Sequence, residues 1–169
     1  MVLRFQTPPL FLPRCLAERL ERWAEDALPA EACGLLVGER APDGVHVREV
    51  VRLSNAAPAR VEDLFELDPE EQLAVEQAAE AAGLEVVGVW HSHPDSAARP
   101  SPTDTERAWE GWSYPIVGFA AHGARRELRS WRIGPAGPVE EPIEHRAHRP
   151  RTLALDPRFL RPDAPVPER

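Results

Sequence analysis

The chain has 169 residues and a net charge of −8 at pH 7, a length that fits one domain with a substantial core. Its acidity argues against nucleic-acid binding, which needs a basic face, and no apolar run approaches the ~20 residues of a membrane span. Because a signal-peptide pattern is also missing, we expect a cytoplasmic protein. Cys15 and Cys33 form no CxxC pair, so we expect two buried thiols rather than a redox or cysteine-metal site.

The first half of the chain predicts a strand, a helix and a β-hairpin. A short strand is expected at 10–12, followed by a helix that begins at Pro13 or Arg14, runs to about Leu28 and has apolar residues recurring on one face. Two apolar runs, 33–38 and 45–53, flank the turn Asp43-Gly44 and predict the hairpin.

The second half alternates strands with helices. Asp68 as N-cap and Pro69 at the first helical position mark the start of the first of these helices, and Gly83 is expected to end it. The dense apolar run from Leu84 to His91 predicts a central strand covered on both faces. In chain order we expect a strand at 64–67, a helix at 69–82, a strand at 84–91, a helix at 103–112, and strands at 115–121 and 127–133.

Together these elements predict an α+β domain, a mixed sheet flanked by about three helices. The composition changes after residue 134, since eight of the 19 prolines lie in 134–169. We therefore divide the chain into a domain at 1–134 and a Pro- and Arg-rich C-terminal extension at 135–169. The extension is expected to add an edge strand near 139–143 and then to pack back on the domain; a partner-docking arm is the alternative.

One spacing points to chemistry: His91-Ser92-His93, seven residues, Ser101, two residues, Asp104. In an extended segment His91 and His93 point the same way, and the Pro-rich turn after them can bring Asp104 back. Two nitrogens and one carboxylate oxygen suit Zn²⁺ and leave a fourth position for water. The spacing predicts a hydrolytic zinc centre with one Zn²⁺ per chain.

With Glu31 upstream, this spacing resembles the JAMM motif of the JAB/MPN metalloproteases, and every position of that motif is filled. The resemblance covers roughly residues 5 to 133. It implies a single JAB/MPN domain with a curved, cytidine-deaminase-like sheet, and water activated by zinc with Glu31 as general base. It also implies that Ser101 donates to the oxyanion of the tetrahedral intermediate.

Simpler interpretations of the same residues stay open. Ser101 and Asp104 also fit the N-terminus of a helix, where both would act as caps, and Glu31 alone would be an ordinary loop carboxylate. The remaining histidines lack a partner at metal-binding spacing and are expected on the surface or in loops: His46, His122, His145 and His148.

The resemblance also implies a substrate class. We expect an isopeptidase of the short prokaryotic stand-alone form, acting on a ubiquitin-like or sulfur-carrier protein with a C-terminal Gly-Gly. Precursor trimming, deconjugation and a homodimer all stay open, and no nucleic-acid or membrane partner is expected. The alternatives are a non-catalytic MPN scaffold, which would have lost ligands, and a zinc deaminase, which would need His-x-Glu and Pro-Cys-x-x-Cys patterns that the chain lacks.

Overall fold

The computed structural model describes residues 7–57, 64–120, 125–146 and 153–155. Within these ranges, one eight-stranded mixed sheet and three helices confirm the predicted α+β domain. The elements in chain order are β1 (Leu10–Phe11), α1 (Arg14–Ala27), β2 (Cys33–Ala41), β3 (Gly44–Leu53), α2 (Pro69–Ala81), β4 (Glu85–His93), α3 (Pro102–Arg107), β5 (Ser113–Ala120), β6 (Arg125–Gly134), β7 (Gly137–Glu141) and β8 (Ile143–Glu144).

The sheet curls until its two edges meet. Its strand order is β7-β6-β5-β4-β2-β3-β1-β8, so β7 and β8 form opposite edges although only Pro142 separates them in the chain. The carbonyl of Pro142 accepts a hydrogen bond from the Leu10 amide at 2.8 Å, which ties β8 to β1. The edge strand expected near 139–143 is therefore present as two short strands, one at each edge.

Strand β4 has the predicted central position, antiparallel to β2 and parallel to β5. Its Trp90 packs in the core on the α1 side of the sheet, with Leu20 and Trp23. Its Val89 packs in the core on the α2 side, with Val75. Burial on both faces explains why this strand is an almost continuous apolar run.

The strand expected at 64–67 does not form, and a single bridge joins Leu67 to Asn55. The Asn55 side chain takes the hydrogen bonds that a neighbouring strand would have taken. Its Nδ2 donates to the Leu64 carbonyl at 3.0 Å, and its Oδ1 accepts from the Glu66 amide at 3.0 Å. A side chain that satisfies the backbone in this way stabilises a loop in place of a ladder.

Helix α3 is shorter than expected and ends at Arg107 instead of residue 112. The Tyr114 hydroxyl accepts a hydrogen bond from the Trp109 amide at 2.6 Å and donates to the Trp109 carbonyl at 3.3 Å. These two bonds occupy the peptide groups that a longer helix would need. Elsewhere, Cys33 is buried as expected, whereas Cys15 is exposed on α1, contrary to the expectation.

Part of the C-terminal extension lies in the core. Leu153 and Leu155 are buried in the core on the α2 side, beside residues from β2, β4 and β6. For these residues the expected packing against the domain is confirmed. The rest of the extension after Arg146 lies outside the described residues.

This burial predicts a measurable effect on stability. Leu153 is 1% exposed, so Leu153→Ala should lower the free energy of unfolding by about 2–5 kcal/mol through lost contacts and a cavity. Leu73 on α2 is 53% exposed, and Leu73→Ala should change it by no more than about 0.5 kcal/mol. Urea unfolding of both variants measures the difference, and equal losses would contradict the role of the extension in the core.

Candidate metal centre

Three side chains converge at the end of β4. The Nε2 atoms of His91 and His93 lie 3.0 Å apart, and each is 3.4 Å from Oδ2 of Asp104. Ligand atoms arranged tetrahedrally at Zn–N and Zn–O distances of about 2.0–2.1 Å are themselves about 3.3 Å apart. The three atoms therefore have the spacing of ligands to one small cation, and they are the one cluster of this kind among the described residues.

Regular strand geometry explains the position of both histidines. His91 pairs with Ile116 and His93 with Gly118 in an unbroken parallel register, so their side chains leave the same face of β4. Ser92, between them, faces the other way. It accepts a hydrogen bond from the Ala32 amide at 2.8 Å, while its own amide donates to the Ala32 carbonyl at 2.9 Å.

Asp104 reaches the histidines from the first turn of α3. Its Oδ2 accepts from the Ser101 amide at 2.7 Å, and the Ser101 hydroxyl accepts from the Asp104 amide at 3.1 Å. This reciprocal capping box begins the helix. The capping interpretation is thus correct for both residues, and the same Oδ2 atom still faces the two imidazoles.

At His91 and Asp104 the electrostatic environment favours the protonation states that metal binding requires. Burial lowers the pKa of His91 against the opposing effect of Asp104, so this imidazole is neutral at pH 7. Burial opposes ionisation of Asp104, but hydrogen bonds from both histidines outweigh it and hold the pKa of the carboxyl well below its usual range. A neutral imidazole and a carboxylate are the ligand forms that bind metal without losing a proton.

His93 has a defined tautomer. Its Nδ1 lies 3.1 Å from the Ala97 carbonyl, which can only accept, so Nδ1 carries a hydrogen and Nε2 is the nitrogen that can bind a metal. Burial lowers the pKa of His93, but the hydrogen bonds to Asp104 and Ala97 and the charge of Glu31 outweigh it, so the pKa is raised. A cation at this position would replace the proton at Nε2.

Glu31 lies close enough to this cluster for its charge to act on His93, and the next residue, Ala32, is bonded to Ser92. Glu31 is 7% exposed, and the peptide that follows it is held by Ser92 as described above. Its carbonyl accepts from Asn55 Nδ2 at 3.3 Å. The structure therefore brings Glu31, Ser101 and the three candidate ligands into one neighbourhood at the ends of β2 and β4.

Sequence reasoning missed two neighbours of the cluster. The Phe65 ring stacks on His91 with 4.5 Å between ring centroids, and Asn55 holds the loop that carries Phe65. The alternating pattern at 64–67 indicated a strand and gave no sign of a contact with His91, and the tendency of Asn to bond to the backbone was the single available signal for the loop. Of the other histidines, His46 contacts Asp43 at 2.8 Å and His145 contacts the Leu12 carbonyl at 2.9 Å, while His122 and His148 lie outside the described residues.

Comparisons with known proteins agree with this architecture. Residues 13–134 match the family described as prokaryotic homologs of the JAB domain. A Haloferax volcanii protein named "Desampylase" is 48% identical over 90 residues, 52% of this chain, and the match spans 62% of that protein's own length. A Thermus thermophilus protein named "Probable TtuB-protein conjugate cleaving protease" is 34% identical over 70% of this chain and 75% of its own.

A solved structure extends the likeness to most of the chain. The solution structure of a Desulfitobacterium hafniense protein has a TM-score of 0.73 and 33% identity, covering 83% of this chain and 94% of the other. None of the helices in the described ranges has the length and apolar character that a bilayer crossing requires.

Proposed function

Since the chain belongs to the family of prokaryotic homologues of the JAB domain, we propose that it is a zinc-dependent isopeptidase or peptidase. It cleaves after the C-terminal Gly-Gly of a ubiquitin-like protein of the sulfur-carrier type. The observation that carries this proposal is the convergence of His91, His93 and Asp104 on one point, with Glu31 beside them.

The donor set fits zinc. Two imidazole nitrogens and one carboxylate oxygen at tetrahedral spacing leave one position open, as in catalytic zinc sites. When bound, Zn²⁺ supplies a Lewis acid that polarises the scissile carbonyl and acidifies the attacking water. The ligand residues His91, His93 and Asp104 hold the ion and are themselves held by β4 and by the first turn of α3.

Glu31 moves the proton. As general base it accepts the proton of the attacking water, and as general acid it returns that proton to the leaving amine. The two hydrogen bonds between Ser92 and Ala32 fix the backbone that presents Glu31. A fixed backbone keeps the carboxylate in place without a cost in loop ordering at each turnover.

Ser101 stabilises the oxyanion of the tetrahedral intermediate. A hydroxyl has two acceptor lone pairs and one donor hydrogen. Capping of the Asp104 amide uses one lone pair, and the hydrogen stays available for the developing negative charge. The capping and catalytic interpretations of Ser101 therefore use different parts of the same group.

Burial of the centre supports a substrate that reaches it through an extended tail of small residues. His91 is fully buried, His93 is 6% exposed, and Phe65 covers the His91 ring. A folded surface cannot reach such a centre, whereas the free tail of a carrier protein can. The names of the relatives, a desampylase and a protease of TtuB-protein conjugates, support a ubiquitin-like carrier as the substrate class.

This geometry predicts how the substrate tail is read. The tail lies extended with backbone hydrogen bonds giving its register, and side chains next to the scissile bond would collide with the segment that begins at Glu31. We therefore expect a carrier whose terminal Gly-Gly is replaced by Leu-Val to lose most of its cleavage rate, while changes after the scissile bond are tolerated. Cleavage assays with carriers bearing C-terminal extensions measure both effects, and equal rates for Gly-Gly and Leu-Val would indicate a general peptidase.

A further inference from the structure

Ala98 is held from both sides by side chains of a distant strand. It lies in the segment 94–101 between β4 and α3, here called the metal loop, and is fully buried. Its amide donates to Oε1 of Glu127 at 2.9 Å, and its carbonyl accepts from Nε1 of Trp131 at 2.9 Å. Both side chains come from β6, so one residue of an irregular loop has both peptide groups bound by side chains about 30 positions later.

The same residue is the centre of a tight turn that contacts His93. The Ala97 carbonyl accepts from the Arg99 amide at 2.7 Å, which makes 97–99 a γ-turn around Ala98. That carbonyl also accepts from His93 Nδ1. The orientation of the His93 ring thus depends on a carbonyl whose direction is set by the turn at Ala98.

Close packing leaves the turn little freedom. A Cβ on Gly118, the β5 residue that pairs with His93, would lie 2.3 Å from the Ala98 nitrogen, so the metal loop rests directly on the β5 backbone. The Trp131 ring is 4% exposed, and the guanidinium groups of Arg99 and Arg129 lie 5.5 and 4.9 Å from its centroid. The indole N–H is therefore fixed in the direction of Ala98.

We propose that Glu127 and Trp131 are positioning residues for metal binding. They hold the γ-turn at Ala98, so that the Ala97 carbonyl keeps His93 in the tautomer and orientation that present Nε2 to His91 and Asp104. Groups that orient a metal-ligating histidine commonly contribute 10–100-fold to metal affinity. This inference rests on the proposed metal centre and adds residues that lie outside the motif.

The test is zinc affinity, measured by competition with a chromophoric chelator. Trp131→Phe keeps an aromatic ring but removes the donor, and Glu127→Ala removes the acceptor; each should weaken Zn²⁺ binding on the order of tenfold. Glu127→Gln keeps a carbonyl oxygen that can accept from Ala98 and should restore affinity close to that of the parent. The visible absorption spectrum of the Co²⁺-substituted protein provides a second measurement. The spectrum of Trp131→Phe should differ from that of the parent.

Tyr114→Phe is the matched control. Tyr114 is a buried aromatic residue whose polar atom binds a loop peptide at Trp109, outside the metal loop. The Tyr114→Phe variant should have a lower free energy of unfolding than the parent, with the same zinc affinity and the same Co²⁺ spectrum. A purely structural Trp131 would behave in the same way as Tyr114.

The outcomes separate the two proposals. A parent protein that binds no zinc overturns the proposed function and this inference with it. A parent that binds zinc, with Trp131→Phe and Glu127→Ala equally tight, overturns the positioning role alone. Should Trp131→Phe not fold, the comparison of Glu127→Ala with Glu127→Gln decides, and equal affinities in that pair overturn the proposal.

Discussion

Replacement of Glu31 by Gln should abolish turnover while the metal stays bound. The amide has nearly the shape of the carboxylate but cannot take a proton from water, so kcat should fall by at least the ~10²–10⁴-fold typical of removing a general base. The proposed ligands His91, His93 and Asp104 are unchanged, so zinc content should equal that of the parent. Cleavage of an extended carrier and metal analysis of the same preparation measure both quantities.

Glu49 provides a control for the loss of a buried carboxylate. Like Glu31 it is 7% exposed, but its Oε1 lies 2.5 Å from Nη1 of Arg19. Arg19 belongs to α1, so Glu49 faces the α1 side of the sheet. Glu49→Gln removes a negative charge from a comparably buried position and should keep turnover, at some cost in stability. Near-normal activity in Glu31→Gln would mean that another group activates the water.

His91→Ala should lose the metal. The substitution leaves two of the three proposed protein ligands, His93 and Asp104. It removes the imidazole whose Nε2 lies 3.0 Å from Nε2 of His93. Two ligands cannot complete the three-ligand set of a catalytic zinc site, so zinc content should fall from one ion per chain to near zero, and turnover with it. Metal analysis after dialysis measures the occupancy.

His46→Ala is the matched control for this second experiment. His46 contacts Asp43 at 2.8 Å on the β2–β3 hairpin, away from the cluster, and its loss should leave zinc content unchanged. Full occupancy in His91→Ala would contradict the ligand assignment. A parent protein purified without any bound zinc, and unable to take it up, would favour the scaffold alternative.

Local regularities in the sequence determined much of this architecture. The two-residue period of a strand places His91 and His93 on one face, and the structure has that arrangement at the end of β4. The start of α2 was equally local, because Asp68 accepts from the amides of Glu70 and Glu71 and Pro69 takes the first helical position. Both features depend on residues within a few positions of one another, which a sequence pattern can register.

Hydrogen bonds between side chains and the peptide groups of loops decided the rest. Asn55 replaced a predicted strand by a loop that places Phe65 on His91, and Tyr114 ended α3 early. Ala98 is bound by side chains 29 and 33 positions away. None of these side chain–backbone hydrogen bonds has a period, so a pattern could not predict them. The sequence by itself determined which residues can form the candidate centre, and tertiary packing decided how the loops around it are held.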